Sequence, residues 1–202
     1  MFLAAVVITP ALSMYVSCTF EPDIKTGDIV FVGIPSDKDS TVLDYIHTSV
    51  IEIDDDGTWI IDATNKRGVA RYPMDEFIAD FRRHDGSFPT FEVLRLIDTT
   101  GVTSFVENAK AFIGEPYDLS FAPDNGCHYC TELVHDSFVA DGKSLFPECP
   151  MDFTYPDGEF PSFWLRTFKR LGAEIPQGRI GTTPGAMRKD AQLMKVGELS
   201  TP

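Results

Sequence analysis

The chain has 202 residues, 43% of them hydrophobic and 24% charged, so it is long enough to bury a substantial core as one compact domain. Its 31 acidic and 17 basic residues give a formal net charge of −14, which repels phosphate backbones and argues against nucleic-acid binding. No apolar run reaches the roughly 18 to 20 residues that a membrane-spanning helix needs, which excludes a polytopic membrane protein.

The N-terminus predicts an export signal. Residues 1–16 form an apolar stretch of signal-peptide length, and Ser17 and Cys18 follow it. The Tyr-Val-Ser-Cys run is similar to a degenerate bacterial lipobox, in which Cys18 would carry the lipid. A truncated start or a buried first strand is the alternative, since no Lys or Arg precedes the apolar run and Tyr15 stands where Leu is usual. We therefore predict a signal peptide or lipoprotein signal over residues 1–18 and one exported domain of the bacterial envelope over residues 19–202.

The first half of this domain predicts a small antiparallel sheet. A turn at residues 26–28 leads into a strand over residues 29–34. Two β-branched runs, at residues 47–53 and 58–64, flank Asp54-Asp55-Asp56-Gly57, which is a strong hairpin signal. A short helix over residues 74–81 and a strand over residues 91–97 follow.

The second half predicts mainly helices and turns. One helix is expected over residues 102–113, with Thr103 or Ser104 as its N-cap, and another over residues 132–140. A third helix near residues 160–171 precedes a polar tail. Together the two halves predict an α+β fold led by an antiparallel sheet.

Cys130 is the first candidate for chemistry. Loop-like sequence at residues 122–126 gives way to an apolar helical period after this cysteine, which places it on the first turn of a helix. Backbone N–H groups and the helix dipole favour thiolate over thiol at that position, as a nucleophile requires. An inert buried cysteine is the alternative.

His47 and Asp62 are the natural partners of this cysteine. Imidazole suits proton transfer near neutral pH, and His47 begins a strand of the predicted hairpin. A hairpin turn of two or four residues places Asp62 on the same sheet face as His47, whereas a three-residue turn places it on the other face. A carboxylate among Ile60, Ile61 and Ala63 is costly to bury alone, and orienting an imidazole would give it a partner.

The C-x-x-C spacing of Cys127 and Cys130 offers two rival interpretations. It is typical of half a zinc site or of a redox pair. No second such pair follows, since only His135 and Cys149 remain, and no βαβ unit precedes the motif. We therefore expect no metal and no cofactor, and we assign no role to His84, His128 or His135.

Five segments together resemble the circularly permuted NlpC-type papain-like cysteine hydrolases, of the YiiX/YebB-like branch. The similarity covers roughly residues 24–140, and the histidine strand precedes the cysteine helix, as in the permuted order. The matching segments are Gly27-Asp28-Ile29-Val30-Phe31, His47-Thr48-Ser49-Val50, Ile61-Asp62-Ala63-Thr64 with Gly68-Val69, Ile113-Gly114-Glu115-Pro116-Tyr117-Asp118 and Tyr129-Cys130-Thr131-Glu132-Leu133-Val134.

This resemblance implies a permuted papain-like fold, with a small antiparallel sheet or partial barrel and the nucleophile at a helix N-terminus. It assigns Cys130 as the nucleophile, His47 as the base and Asp62 as the orienting residue, where the branch often has Glu. Tyr117 matches a tyrosine of the active-site wall and a possible oxyanion donor.

The implied activity is that of a cysteine amidase or peptidase that works through a thioester, without a cofactor. The expected substrate is a small peptide, such as a murein stem peptide, or an acyl compound. An acyl-lipid hydrolase or acyltransferase and an exported binding module without turnover remain alternatives. Contact with a membrane is expected only through a lipid on Cys18.

The sequence leaves two questions open, the pairing of Cys127 and the place of the C-terminal aromatic residues. Cys127 could pair with Cys130 or with Cys149 if the protein is exported. The aromatic residues of the C-terminal third could wall an apolar substrate groove or belong to the core; they are Phe146, Phe153, Tyr155, Phe160, Phe163 and Trp164.

Overall fold

A six-stranded antiparallel sheet dominates the computed structural model, which describes residues 22–123 and 125–202. The predicted signal at residues 1–18 lies outside these ranges. The spatial strand order is β10-β5-β1-β2-β3-β4, and the sheet does not close into a barrel. The strands are β1 (Ile29–Pro35), β2 (Leu43–Asp54), β3 (Gly57–Thr64), β4 (Gly68–Pro73), β5 (Thr90–Leu96) and β10 (Leu193–Glu198).

Five helices and two small two-stranded sheets accompany this sheet in the described residues. The helices are α1 (Met74–Asp80), α2 (Val102–Ala111), α3 (Cys130–Ser137), α4 (Ser162–Leu171) and α5 (Pro184–Met187). The short strands are β6 (Val139–Ala140), β7 (Lys143–Ser144), β8 (Cys149–Pro150) and β9 (Ile180–Gly181). Within the described ranges, none of the helices has the length and hydropathy to cross a membrane.

The hairpin between β2 and β3 has a two-residue turn. Val50 lies opposite Ile61 and Asp54 lies opposite Gly57, which leaves Asp55 and Asp56 in the turn. The side chain of Asp54 accepts hydrogen bonds from the N–H groups of Asp56 and Gly57, at 2.9 and 3.1 Å. This register confirms the predicted hairpin and places the even-numbered residues of β3 on the face of the odd-numbered residues of β2.

Apolar side chains alternate between the two faces of the hairpin. Val50 and Ile61 pack with helices α2 and α3, whereas Ile51 and Ile60 pack with helix α1 and strand β5. All four side chains are fully buried, and burial of a β-branched side chain stabilises the fold by about 1.5 to 3 kcal/mol. The hairpin that carries His47 and Asp62 is therefore held rigidly between two apolar layers.

A β-bulge interrupts the pairing of β1 and β2 beside His47. Val32 lies opposite His47, but the next residue, Gly33, lies opposite Tyr45, so Ile46 is an extra residue in β2. Bulges bend a strand and change the direction in which the neighbouring side chains point. This one lies directly beyond His47, on the side away from the hairpin turn, so the regular register is kept as far as His47.

Several predicted boundaries differ from the structure. The N-cap of helix α2 is Gly101, whose backbone has a left-handed conformation. Neither Thr103 nor Ser104 is the N-cap, and no side chain makes a capping hydrogen bond there. Helix α3 begins at Cys130 rather than at residue 132, and residues 139–140 form strand β6 instead of its last turn. The predicted polar tail contributes strand β10 to the edge of the main sheet, next to β5.

Gly68 allows the start of β4 to approach the segment before Tyr117. A Cβ atom at this position would lie 2.3 Å from the carbonyl oxygen of Glu115, which accepts a hydrogen bond of 2.8 Å from the N–H of Val69. We expect Gly68→Ala to lower the free energy of unfolding by about 2 kcal/mol more than Gly172→Ala does. Both glycines have φ +67°, but Gly172 has open space around the added Cβ.

Thermal unfolding checks this expectation. At this chain length, about 2 kcal/mol corresponds to roughly 4 to 8 °C in Tm, and this is the expected difference between the two variants. Equal Tm values for the two variants would show that the contact between Gly68 and Glu115 does not constrain the fold.

Candidate active site

His47 and Asp62 are in direct contact across the hairpin. The Nε2 atom of His47 lies 2.7 Å from Oδ1 of Asp62, and the carboxylate is fully buried. The hydroxyl of Tyr72, on β4, donates a hydrogen bond of 2.7 Å to Oδ2 of the same carboxylate. Each oxygen of the buried carboxylate thus has a partner, which offsets the cost of removing it from water.

The imidazole of His47 is held in a nearly dry environment. Its side chain is 12% exposed, and its ring centroid lies 6.4 Å from that of Phe77 and 5.5 Å from that of Phe81. Burial by itself lowers the pKa of His47, but the negative charges of Asp62 and of a Cys130 thiolate, with their hydrogen bonds, raise the pKa well above its usual value. The imidazolium form is therefore favoured at neutral pH.

Cys130 is the first residue of helix α3. Tyr129 occupies the N-cap with an extended backbone, and the cysteine side chain is buried, at 6% exposure. Since Nε2 of His47 faces Asp62, Nδ1 is the ring nitrogen left to face the thiol. The sulfur therefore lies at the N-terminal end of the helix and beside the imidazole of His47.

The start of α3 is anchored to the C-terminal segment. The N–H of Thr182 donates to the Tyr129 hydroxyl at 3.1 Å, and the hydroxyl of Thr131 donates to the carbonyl of Thr182 at 3.0 Å. Both threonines and Tyr129 are buried. These contacts hold the residues on either side of Cys130 and so fix the position of its sulfur.

Glu132 is a buried carboxyl group on the first turn of α3. Its Oε2 atom accepts a hydrogen bond of 3.3 Å from the N–H of Tyr129, as in a capping box. Burial is the main cause that raises the pKa of Glu132 to about 8, and the nearby charges of Asp118 and Asp136 add to it. At neutral pH this side chain is therefore protonated and adds no negative charge beside Cys130.

Protonation of Glu132 makes stability depend on pH. Between pH 4.5, its usual pKa, and about 8, the folded protein holds a proton that the unfolded chain has lost, so stability falls as pH rises through this window. Glu132→Gln keeps an acceptor for Tyr129 and removes the titration. We expect it to raise the free energy of unfolding on the order of 3 kcal/mol above pH 8 and little at pH 4.5.

Urea unfolding at pH 5, 7 and 9 measures this effect. Glu107→Gln is the matched control, because it makes the same chemical change on an exposed part of helix α2. A Glu132→Gln variant whose advantage over the wild type is the same at all three pH values would contradict a raised pKa.

Tyr117 is held beside the cysteine by the backbone. The N–H of Asp118 donates to the carbonyl of His128, and the N–H of His128 donates to the carbonyl of Pro116, both at 3.1 Å. Burial, together with the negative charges of Cys130 and Asp62, raises the pKa of Tyr117 well above its usual value. Its hydroxyl therefore keeps its proton and can donate a hydrogen bond.

His128, to which the sequence analysis assigned no role, is buried beside helix α3. It is 5% exposed, and its two ring nitrogens lie 2.8 Å from Glu115 and 3.1 Å from Asp136. Burial lowers the pKa of His128, but these carboxylates outweigh burial and raise it above the usual value. Through these contacts His128 links the segment before Tyr117 to helix α3 and so supports the geometry around Cys130.

A groove of about 750 Å³ runs past His47 and Tyr117. Of the C-terminal aromatic residues, Phe163 and Trp164 line it, while Phe153 and Phe160 pack in a separate apolar cluster and Phe146 belongs to the main core. The hydroxyl of Tyr155 donates to Asp44 at 2.7 Å. These aromatic residues are thus divided between the groove and the apolar clusters, and a role of the groove in substrate binding stays a prediction.

The remaining cysteines form no disulfide in the described part of the chain. Cys127, Cys130 and Cys149 are all free thiols, with Cys149 exposed and Cys127 half-buried. In the same residues, no group of three or more His, Cys, Asp or Glu side chains is arranged to hold a metal ion. The C-x-x-C motif therefore forms neither of the two pairings left open by the sequence, and the described side chains provide no zinc site.

Sequence reasoning missed Tyr72 and the basic residues that line the groove, which are Lys66, Arg83, Arg166 and Arg170. Strand β4 was not predicted, so the second partner of Asp62 was not found. The register of β3 and β4, in which Ile60 lies opposite Tyr72, places Tyr72 diagonally across from Asp62 on the same face. The available signal was the presence of the strand-favouring residues Val69 and Tyr72 between Gly68 and Pro73.

The chain has clear relatives. The family model described as permuted papain-like amidase enzyme, YaeF/YiiX, C92 family, matches residues 23–197. Uncharacterized protein YiiX of Escherichia coli strain K12 is 28% identical over 196 residues, and the match covers 93% of this chain and 93% of that protein. A crystal structure of "metalloprotein yiiX" from Escherichia coli O157:H7 has a TM-score of 0.63 at 23% identity, covering 89% of this chain and 98% of that chain. The predicted fold class is thereby confirmed, and the match extends beyond residue 140.

Proposed function

Since this chain belongs to the permuted papain-like amidases of the YaeF/YiiX, C92 family, we propose that it is an exported cysteine amidase that cleaves peptide-type amide bonds through a Cys130 thioester. The observation that carries the proposal is the contact of 2.7 Å between His47 and the buried Asp62, beside a cysteine at a helix N-terminus. In the proposed roles, Cys130 is the nucleophile, His47 the acid and base, and Asp62 the residue that orients His47.

Acylation begins with attack of the Cys130 sulfur on the carbonyl carbon of the amide. A C–S bond forms, and the backbone N–H of Cys130 and the Tyr117 hydroxyl donate hydrogen bonds to the oxygen that gains negative charge. The C–N bond then breaks as the His47 imidazolium donates its proton to the departing amine. Asp62 keeps the imidazole oriented throughout.

Deacylation uses the same residues, but His47 now acts as the base. Neutral His47 removes a proton from water, the water oxygen attacks the thioester carbon, and the C–S bond breaks to release a carboxylic acid. The regained imidazolium and thiolate are the starting state. The raised pKa of His47 supports this cycle because it favours the imidazolium that the first step requires.

These steps use only groups of this chain and water. The crystallised relative is described as a metalloprotein, but the described residues here do not fit a metal site, since no group of three or more candidate ligands comes together. No metal therefore takes part in the proposed mechanism.

The proposed substrate is a cell-wall-type peptide such as a murein stem peptide. An open groove of about 750 Å³ beside His47 has room for several residues of a peptide. Export depends on residues 1–18, which lie outside the described residues, and stays a prediction. The three proposed catalytic side chains are all present, which counts against a binding module without turnover.

Mass spectrometry of defined mixtures tests the proposal. Purified cell-wall fragments and a lipid extract are each incubated with the wild type and with Cys130→Ala, and the products are compared. We expect new amine and carboxylate termini in the cell-wall fragments with the wild type only. Products in the lipid extract alone would identify an acyl-lipid hydrolase, and products with neither substrate would contradict the amidase.

A further inference from the structure

Helix α4 presents a second face that does not belong to the core. Its buried side, with Phe168, packs against Phe153 in a separate apolar cluster, and Trp164 lies between the two faces and contacts both the cluster and the groove. Five other residues face the groove beside His47, at spacings of three or four along the helix, which is one stripe of its surface. They are Phe163, Arg166, Thr167, Arg170 and Leu171.

The groove is cationic in an acidic protein. Four of the chain's 17 basic residues line it, but only two of its 31 acidic residues do. The basic residues come from separate parts of the chain, two from helix α4 and two from the loops after β3 and α1. They are Lys66, Arg83, Arg166 and Arg170.

Both carboxylates of the groove are already engaged by the protein. Asp37 accepts hydrogen bonds from the N–H and the hydroxyl of Ser162, at 2.6 and 3.0 Å. Asp80 pairs with Lys66 at 2.8 Å and also with Arg67. These contacts use Lys66, so it is not the best candidate for binding a ligand.

Of the four basic residues that line the groove, Arg83 and Arg170 are the two whose side chains are not engaged by such contacts among the described residues. Both are exposed, and among the described residues neither has a carboxylate within 4 Å. Arg166 differs, because its Nη1 atom donates to the Ser162 hydroxyl at 2.8 Å. A guanidinium without a partner in a concave site matches a carboxylate in shape and charge.

We infer that Arg83 and Arg170 select amide substrates that carry a free carboxylate away from the scissile bond, with an apolar part against Phe163 and Leu171. This inference rests on the proposed function, and it names the substrate class of the same site. A soluble peptide is favoured over a phospholipid, since the net charge of −14 repels an anionic membrane surface while the local cations attract a small anion.

Binding to an inactive protein tests the inference separately from turnover. Trp59→Phe in a Cys130→Ala background leaves Trp164, in the groove, as the one remaining tryptophan. Its fluorescence is titrated with an N-acetyl dipeptide that has a free C-terminal carboxylate, with the matching C-terminal amide, and with glycerol phosphate. We expect the carboxylate probe to bind at least tenfold more tightly than the amide.

Two neighbouring residues provide matched controls. Arg83→Gln with Arg170→Gln is expected to raise the Kd of the carboxylate probe at least tenfold and to leave that of the amide probe unchanged. Arg82→Gln with Lys169→Gln makes the same charge change one residue away, at exposed positions outside the groove lining, and should have little effect. Added salt should weaken binding of the carboxylate probe to the parent protein, but not to the Arg83→Gln, Arg170→Gln variant.

The outcomes separate this inference from the proposed function. Equal binding of carboxylate and amide, equal effects of the two variant pairs, or binding of glycerol phosphate alone would overturn the inference. Arginine-dependent binding of the carboxylate probe upholds it even if the wild type hydrolyses no amide, and in that case only the amidase proposal fails. In an active enzyme, the Arg83 and Arg170 variants should raise KM rather than lower kcat.

Discussion

Replacing His47 with alanine is expected to lower kcat/KM for amide hydrolysis on the order of 10³-fold, because it removes both the proton donor and the cation paired with Cys130. In the wild type, the imidazolium persists at neutral pH, since Asp62 and the Cys130 thiolate raise the pKa of His47. Iodoacetamide should therefore alkylate Cys130 at mildly acidic pH, faster than Cys127 or Cys149. In the His47→Ala variant that reactivity should shift towards higher pH.

Peptide mapping after alkylation at a series of pH values gives the profile for each cysteine. His84→Ala is the control, because His84 is exposed and lies outside the groove. Circular dichroism should show that both variants keep the fold. If Cys130 reacts only above about pH 8 in the wild type and in His47→Ala alike, the two residues are not coupled and the binding-module alternative is favoured.

Asp62→Asn should lower kcat at least tenfold while keeping the fold. The amide preserves the shape of the side chain but removes the charge that raises the pKa of His47. Without that charge the pKa of His47 falls, so the imidazolium loses its proton at a lower pH. The alkaline limb of the pH profile of kcat therefore moves to lower pH. Steady-state kinetics from pH 5 to 10 measure both effects.

Tyr72→Phe is the matched comparison for this variant. It removes the hydrogen bond of 2.7 Å to the other oxygen of Asp62 and leaves the carboxylate charge in place. We expect it to cost about 1 kcal/mol of stability and to change kcat less than Asp62→Asn does. Activity of Asp62→Asn within about twofold of the wild type would remove Asp62 from the mechanism.

Local patterns were enough to predict the part of the site that lies in one hairpin. The β-branched runs on either side of Asp54-Asp55-Asp56-Gly57 predict two paired strands, and the turn length then determines which side chains share a face. The contact between His47 and Asp62 follows from that register alone. The position of Cys130 at a helix start was similarly predictable, because loop residues and an apolar helical period meet there.

Contacts between distant segments were not predictable in this way. Strand β10 reads as a polar tail because it lies at the edge of the sheet, where half-exposed side chains weaken the period of two. The burial of His128 depends on Glu115 and Asp136, which lie 13 and eight residues away along the chain. No pattern within a single element contains such a contact.

The sequence by itself determined the hairpin, the helix start at the cysteine and the family, because each depends on short-range periodicity or on motifs. The tertiary structure alone decided the bulge beside His47, the second partner of Asp62 and the placement of α4 across the groove. These features arise from contacts between different segments, and Asp37 and Ser162, which hold the start of α4, lie 125 residues apart. Packing of that kind depends on the shape and charge of both partners at once.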